Sequence, residues 1–306
     1  MTCRSNTDNY LELFLNNVPM MDVRAPIEYK KGAFPNVVNL PLMNDEERHL
    51  VGTRYKEAGQ ESAIQLGHEL VSGREREKRI EQWSAFAQSY PEGYLYCFRG
   101  GLRSRTTQQW LKAVGIDYPL IKGGYKAMRR FLIDALECIS KQQDLVILSG
   151  RTGTGKTRFL NTLNNCVDLE GLAHHRGSSF GRLLVPQPSQ IDFENSLSIA
   201  LLKAVHQKSG PIYLEDESRL IGRCALPIPL KERMLNCPLV VLESSLEERI
   251  DVVLQDYVID MTNDFIRRDG YALGLDSFSD YLFASLERIK RRLGSERKNQ
   301  LVSKME

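Results

Sequence analysis

The sequence predicts an α/β protein built from two parallel-sheet units, and three observations carry that expectation. A Gly-rich phosphate-loop pattern stands near the middle of the chain, directly after a strand-like apolar run. Short apolar runs alternate with helix-patterned stretches on both sides of it, as βαβ units require. The 306 residues also amount to about two ordinary domains.

In the first half, strand-like pieces fall at residues 19–23, 37–40 and 94–97. A charged, helix-patterned insertion over 44–87 separates the second from the third. A polar linker at 141–144 runs into a new buried strand at 145–149, and further apolar runs follow at 211–214 and 239–242. The expected domains are therefore 1–138 and 139–306. From about residue 278 the chain is helical in period and basic. Over residues 287–298, Arg288, Lys290, Arg291, Arg292, Arg297 and Lys298 stand against only Glu287 and Glu296. Such a tail reads either as a solvated helix face or as a nucleic-acid contact.

Composition narrows the class. With 42% hydrophobic and 26% charged residues the chain has material for ordinary cores. Its 41 basic and 39 acidic residues exclude a histone-like tail or an acidic disordered chain, while leaving room for a local basic patch. No apolar run approaches the roughly 20 residues of a membrane span, and the opening MTCRSNTDNY has no apolar targeting core. A cytoplasmic protein is expected. Six Cys, at 3, 97, 138, 166, 224 and 237, form no CxxC pair and read as free thiols.

GRTGTGKT at 150–157 fits GxxxxGK[ST] between a strand and a helix-forming RFLNTLNN. Gly150, Gly153 and Gly155 let the backbone wrap an anion, Lys156 adds a cation, and the Thr157 hydroxyl can hold Mg²⁺. PIYLEDE at 211–217 supplies a strand ending in acids, of which Glu215 or Asp216 could serve the metal. Between them, DLEGLAHHRGSSFGR at 168–182 reads as a loop that contacts an anionic substrate. Its paired His lack zinc spacing, so no zinc site is expected.

Cys97 closes the strand YLYC and enters the Gly-rich turn FRGGLR, which carries Arg99, Gly100, Gly101 and Arg103. Backbone N–H groups, a following helix and two Arg around a sulfur favour the nucleophilic thiolate form. None of the other cysteines has that setting. Together with MDVRAPIEY at 21–29 and GAFPNVVNLPL at 32–42, this stretch resembles the rhodanese family over roughly residues 10–136. One departure is the CX5R spacing of Cys97 and Arg103. It is similar to related cysteine phosphatases and widens the loop enough for a tetrahedral oxyanion. A rhodanese-like sulfurtransferase or phosphatase with a regulatory NTP-binding domain is the alternative reading.

A rhodanese-like domain fused to a P-loop domain is a narrow combination. With LVGTRYKEAGQESAIQLGHEL at 50–70 and the 168–182 stretch, the whole chain resembles the tRNA 2-selenouridine synthase family. The resemblance implies a bacterial transferase acting on the wobble 2-thiouridine of tRNAs for Lys, Glu and Gln. It implies S-geranylation from geranyl diphosphate, then selenation from selenophosphate through an S-selanyl group on Cys97. Flavin, haem and zinc are not expected, and Mg²⁺ is a candidate. The implied partners are tRNA and a selenophosphate supply, with a monomer favoured. Candidate tRNA contacts are Arg176, Arg182, Arg219, Arg223, Arg291 and Arg292. Gly67 and Gly59, in the inserted helical segment, each cost about 1 kcal/mol against Ala. Each is expected either to permit a close backbone approach or to end a helix.

Overall fold

The computed structural model describes residues 4–207 and 210–305, so Cys3 lies outside the described residues. The chain divides into two units, Met1–Cys138 and Ile139–Glu306.

In the first unit, α1 (Tyr10–Leu15) leads into β1 (Met20–Asp22), α2 (Pro26–Lys30) and β2 (Val37–Asn39). The insertion follows as α3 (Asp45–Leu70) and α4 (Gly73–Ser89), then β3 (Tyr94–Tyr96), α5 (Leu102–Ala113) and α6 (Gly124–Gln142). The three strands are parallel in the order β2-β1-β3, with Met21 opposite Val38 and Leu95. Every residue of β1 is buried, which a strand covered on both faces requires. α4 covers the sheet with Trp83 and Phe86, packed with Met21, Val23, Leu95 and Trp110. Polar contacts fix it there: Trp83 Nε1 donates to Leu40 O at 3.0 Å, and Arg79 pairs with Glu47 at 2.8 Å.

The insertion is two helices rather than one pattern, and the first is itself interrupted. Gly59 has φ +82° and ψ −176°, so its chain direction breaks inside α3. α6 also runs further than expected: Lys141 and Gln142 complete a helix instead of forming a polar linker.

The second unit opens with β4 (Leu145–Gly150), α7 (Lys156–Leu160), β5 (Cys166–Val167), α8 (Leu169–Ala173) and α9 (Gln190–Gln207). Next come β6 (Ile212–Glu215), a small hairpin of β7 (Leu220–Ile221) and β8 (Cys224–Ala225), α10 (Ile228–Met234) and β9 (Leu239–Leu242). The parallel sheet has the order β5-β6-β4-β9. Its central strands carry the core residues Leu145, Ile147, Ile212 and Leu214. α11 (Leu246–Leu254) passes through a π-helical turn, Gln255–Ile259, into α12 (Asp260–Asp269) and α13 (Tyr271–Arg288). α14 (Lys290–Leu293) and α15 (Ser295–Met305) finish the chain. Met261, Phe265 and Phe278 form a separate core between α12 and α13.

The helix after the P-loop is shorter than RFLNTLNN suggests. It stops at Leu160, where Thr162 Oγ1 turns back to Phe159 O at 2.7 Å. Short polar side chains compete in this way with the helical ladder. No described helix is long and apolar enough to cross a membrane.

Candidate functional site

β4 ends at Gly150 and α7 starts at Lys156, so residues 151–155 form a tight turn between them. Gly153 and Gly155 sit at φ +86° and +76°, where a side chain is strained. A Cβ on Gly153 would also lie 2.6 Å from Arg249 O. Lys156 Nζ curls back to Gly150 O at 2.8 Å. Thr157 Oγ1 donates to Glu215 Oε1 at 2.7 Å and lies 3.4 Å from Glu170 Oε2. The Glu170 N–H in turn donates to Glu215 Oε2 at 3.2 Å. Lys156, Thr157, Glu170, Arg176 and Tyr257 line one cavity of about 380 Å³.

Its acids crowd one another. Burial and then the charge of Asp168 push the Glu215 carboxyl up to about 7. Burial, Glu215 and Glu217 push Glu170 up to about 9. Asp216 is exposed and accepts from Ser149 Oγ at 2.7 Å, so Glu215 is the strand-end acid that meets the P-loop threonine. A hydroxyl and a carboxylate are hard oxygen donors that suit Mg²⁺, and a divalent cation would relieve the crowding. Among the described residues no three His, Cys, Asp or Glu converge into a dedicated metal cage. Mg²⁺ needs none when water and substrate phosphates complete its shell.

A second cavity, of about 540 Å³, shares His175, Gly177, Ser178 and Leu183 with the first. Arg182, Arg223, Arg288 and Arg292 line it. The loop between is folded back on itself, with Arg176 N donating to Gly181 O at 2.8 Å. A Cβ on Gly181 would stand 2.8 Å from the Arg176 carbonyl, which accounts for the Gly. His175 is buried, and its Nδ1 has no hydrogen-bond partner. Burial, Arg182 and Arg288 all lower its pKa and keep the ring neutral. His174 instead caps α8 at φ +49° and meets Pro186 O through Nδ1 at 3.0 Å.

The six Arg candidates therefore separate. Arg182, Arg223 and Arg292 meet in the Arg-lined cavity. Arg176 faces the P-loop cavity, donates to Asp256 O and lies over Tyr257 at 5.6 Å. Arg219 and Arg291 are exposed and line neither cavity. Arg288, which the sequence showed only as part of a basic run, joins the Arg-lined cavity. There it donates to Ser179 O at 3.3 Å and Ser285 Oγ at 2.5 Å. Glu170 is the other residue the sequence did not single out, since nothing local ties it to Thr157.

In the first unit Cys97 is buried at the end of β3, its Sγ 3.3 Å from Ser104 Oγ. The N–H groups of Arg99, Gly100, Gly101 and Leu102 donate to no acceptor among the described residues. Unpaired N–H groups of a turn are the kind of donor that a backbone anion site uses. Arg103 is held by Glu28 at 2.5 and 3.1 Å. Gly100 has φ +63°, and a Cβ there would stand 2.7 Å from Gly123 N. Beneath the loop, Arg24 forms a fully buried pair with Asp22 at 2.6 Å and stacks over Tyr125 at 3.8 Å. Gly67 is helical, with Val51 Cγ2 3.8 Å from a built Cβ, so no close backbone approach requires it.

The sequence pattern described as "tRNA 2-selenouridine synthase AAA domain" matches residues 143–306. Relatives that carry the name tRNA 2-selenouridine synthase match nearly the whole chain. The protein of Marinobacter nauticus is 62% identical over 305 residues, covering 100% of this chain and 83% of that protein. That of Pseudomonas syringae pv. tomato is 55% identical over 301 residues, covering 98% and 82%. That of Alcanivorax borkumensis is 54% identical over 303 residues, covering 99% and 84%.

Proposed function

The chain belongs to the tRNA 2-selenouridine synthase family, and from that premise we propose how its two units divide the chemistry. It is a tRNA-modifying enzyme that transfers selenium. Its substrate is the wobble 2-thiouridine of tRNAs for Lys, Glu and Gln, its donors are geranyl diphosphate and selenophosphate, and its compartment is the cytoplasm.

The second unit carries out S-geranylation. A thione sulfur leaves poorly, and alkylation turns it into a group that a selenium nucleophile can expel from C2. Geranyl diphosphate reacts by losing diphosphate. Lys156 and the N–H groups of the 150–157 turn stabilise that anion as its charge develops. Mg²⁺ held by Thr157 and Glu215 would neutralise further charge on the phosphates. Arg182, Arg223, Arg288 and Arg292 hold RNA phosphates beside the donor. The observation that carries this reading is the shared wall from His175 to Ser178, which sets an Arg-lined cavity against a P-loop cavity.

The first unit, rhodanese-like in this reading, carries out selenation. Cys97 is the residue through which selenium passes, and the unpartnered N–H groups of its turn receive the phosphate of selenophosphate.

The test is to incubate the purified protein with 2-thiouridine tRNA, geranyl diphosphate and selenophosphate, omitting each in turn, and to analyse the nucleosides. S-geranyl-2-thiouridine should accumulate without selenophosphate, and 2-selenouridine should need all three. Selenouridine formed without geranyl diphosphate would refute the two-step reading.

A further inference from the structure

A third cavity, of about 290 Å³, lies in the first unit between α3 and α5, and none of the roles above uses it. Its wall is mainly hydrocarbon, from Leu42, Val51, Ala63, Ile64, Val71 and Trp110. Ala63, Val71 and Trp110 are buried, while Tyr55 and Leu102 at the rim are more than half exposed, so the cavity opens outward. Close-packed interiors leave few voids larger than a water molecule. An apolar space of this size is a ligand-type feature at the small end of the usual range of about 300–1,000 Å³. At roughly 30 Å³ per water-sized group it takes about ten heavy atoms.

Two facts set the chemistry of the occupant. Leu102 and Arg103 line the cavity and also belong to the Cys97 turn, so the occupant extends from a group presented to that cysteine. Arg103 is engaged with Glu28, so the wall offers no free guanidinium for a phosphate, and its other polar side chains are Tyr55, Gln60, His68 and Thr106. The occupant is therefore uncharged, apolar and attached to the reacting base.

We propose that this cavity holds the ten-carbon prenyl chain of the S-alkylated tRNA base during selenation and then holds the departing thiol. The inference rests on the reading that selenation follows S-geranylation. In the step it serves, water takes the phosphoryl group of selenophosphate as phosphate, and the selenium, released at the selenide oxidation level, forms a bond to C2. The C2–S bond breaks, and sulfur leaves with the electron pair as the prenyl thiolate, which takes a proton from solvent. The cavity makes the alkylated base, rather than its 2-thiouridine precursor, the preferred substrate of the Cys97 site.

Geranylthiol is the probe, titrated into the full-length protein and followed by tryptophan fluorescence, because Trp110 forms part of the wall. Saturable binding is expected. Butanethiol should bind at least about a hundredfold more weakly, since each buried methylene contributes about fourfold. Ala63→Leu should weaken geranylthiol binding at least about tenfold by filling the space. Val51→Phe, a change at a half-buried wall position, should act in the same direction and guards against a folding defect in the first variant. In parallel, RNA alkylated at sulfur with geranyl or methyl is given selenophosphate. The wild type should favour geranyl by at least about tenfold, and both variants should lose that preference. Absence of thiol binding, or binding that neither variant changes, would overturn the pocket. Thiol binding that both variants weaken, with no selenation of geranylated RNA, would uphold the pocket and overturn the order of reaction steps.

Discussion

The hydroxyl of Thr157 donates to Glu215 across 2.7 Å and ties the first turn of α7 to the end of β6. Glu215 is fully buried, and burial with nearby Asp168 raises its pKa to about 7. A carboxyl whose folded pKa lies above its unfolded value stabilises the protein only while protonated. Its contribution is complete below the unfolded pKa near 4.5 and is lost as pH rises through 7. Glu170, raised to about 9, acts in the same direction over a higher range. Without Mg²⁺ the second unit should therefore melt at a lower temperature at about pH 8.5 than at about pH 5.5. Millimolar Mg²⁺ should narrow the gap. Scanning calorimetry at both pH values, with and without the cation, measures it, and a rise in Tm with pH would contradict the assignment.

Lys156→Ala removes the cation that curls over the P-loop. S-geranylation should fall by about a hundredfold or more, the usual scale for losing a preorganised charge at a developing anion. Selenation of RNA already geranylated should be retained. A variant with full geranylation that loses only an ATP-dependent step would reassign the P-loop to a nucleotide.

Cys97→Ser keeps the size of a side chain that is buried beside Ser104. S-geranylated tRNA should still form, while 2-selenouridine should be absent from the nucleoside digest. Loss of both products, or of neither, would count against two separate sites. Cys224→Ser, at a buried cysteine of the second unit, should leave both products in place.

Gly124 has φ +58°, and a Cβ there would press on the Cys97 carbonyl and stand 2.6 Å from Gly100 N. Gly124→Ala should cost about 2–4 kcal/mol and distort the Cys97 turn, since strained backbone and overpacking add. Gly115 makes the control. It has φ +85° but nothing within 4 Å of a built Cβ, so its Ala variant should cost only about 1 kcal/mol. Urea melts compare the two, and iodoacetamide labelling of Cys97 reads the turn directly.

The parts that were legible in the sequence are those whose cause is local. Residues 150–157 carry their own glycines, lysine and threonine in one turn, and the flanking apolar runs set the strands. Cys97 stood out because its turn follows it within six residues. The remainder depends on contacts across long stretches of chain. Glu28 meets Arg103 over 75 residues, and Glu170 meets Glu215 over 45. Arg288 reaches Ser179 over 109 residues, which no pattern in a basic tail can announce. The same limit explains Asp216, which is as close to the strand end as Glu215 in sequence. β6 ends at the buried Glu215, and Asp216, one residue beyond the strand, is exposed.

The four arginines of one cavity stand in a chain whose formal net charge is only +2. Mobile ions at physiological salt screen their field beyond about 8–10 Å, so it acts on an anion only near the surface. In the reading proposed above, the arginines hold RNA phosphates at that short range and slow departure. Ionic strength should thus govern how long a tRNA stays far more than how fast it arrives. In the two-step reading proposed above, a long stay lets the second alteration of the base follow the first before the tRNA departs.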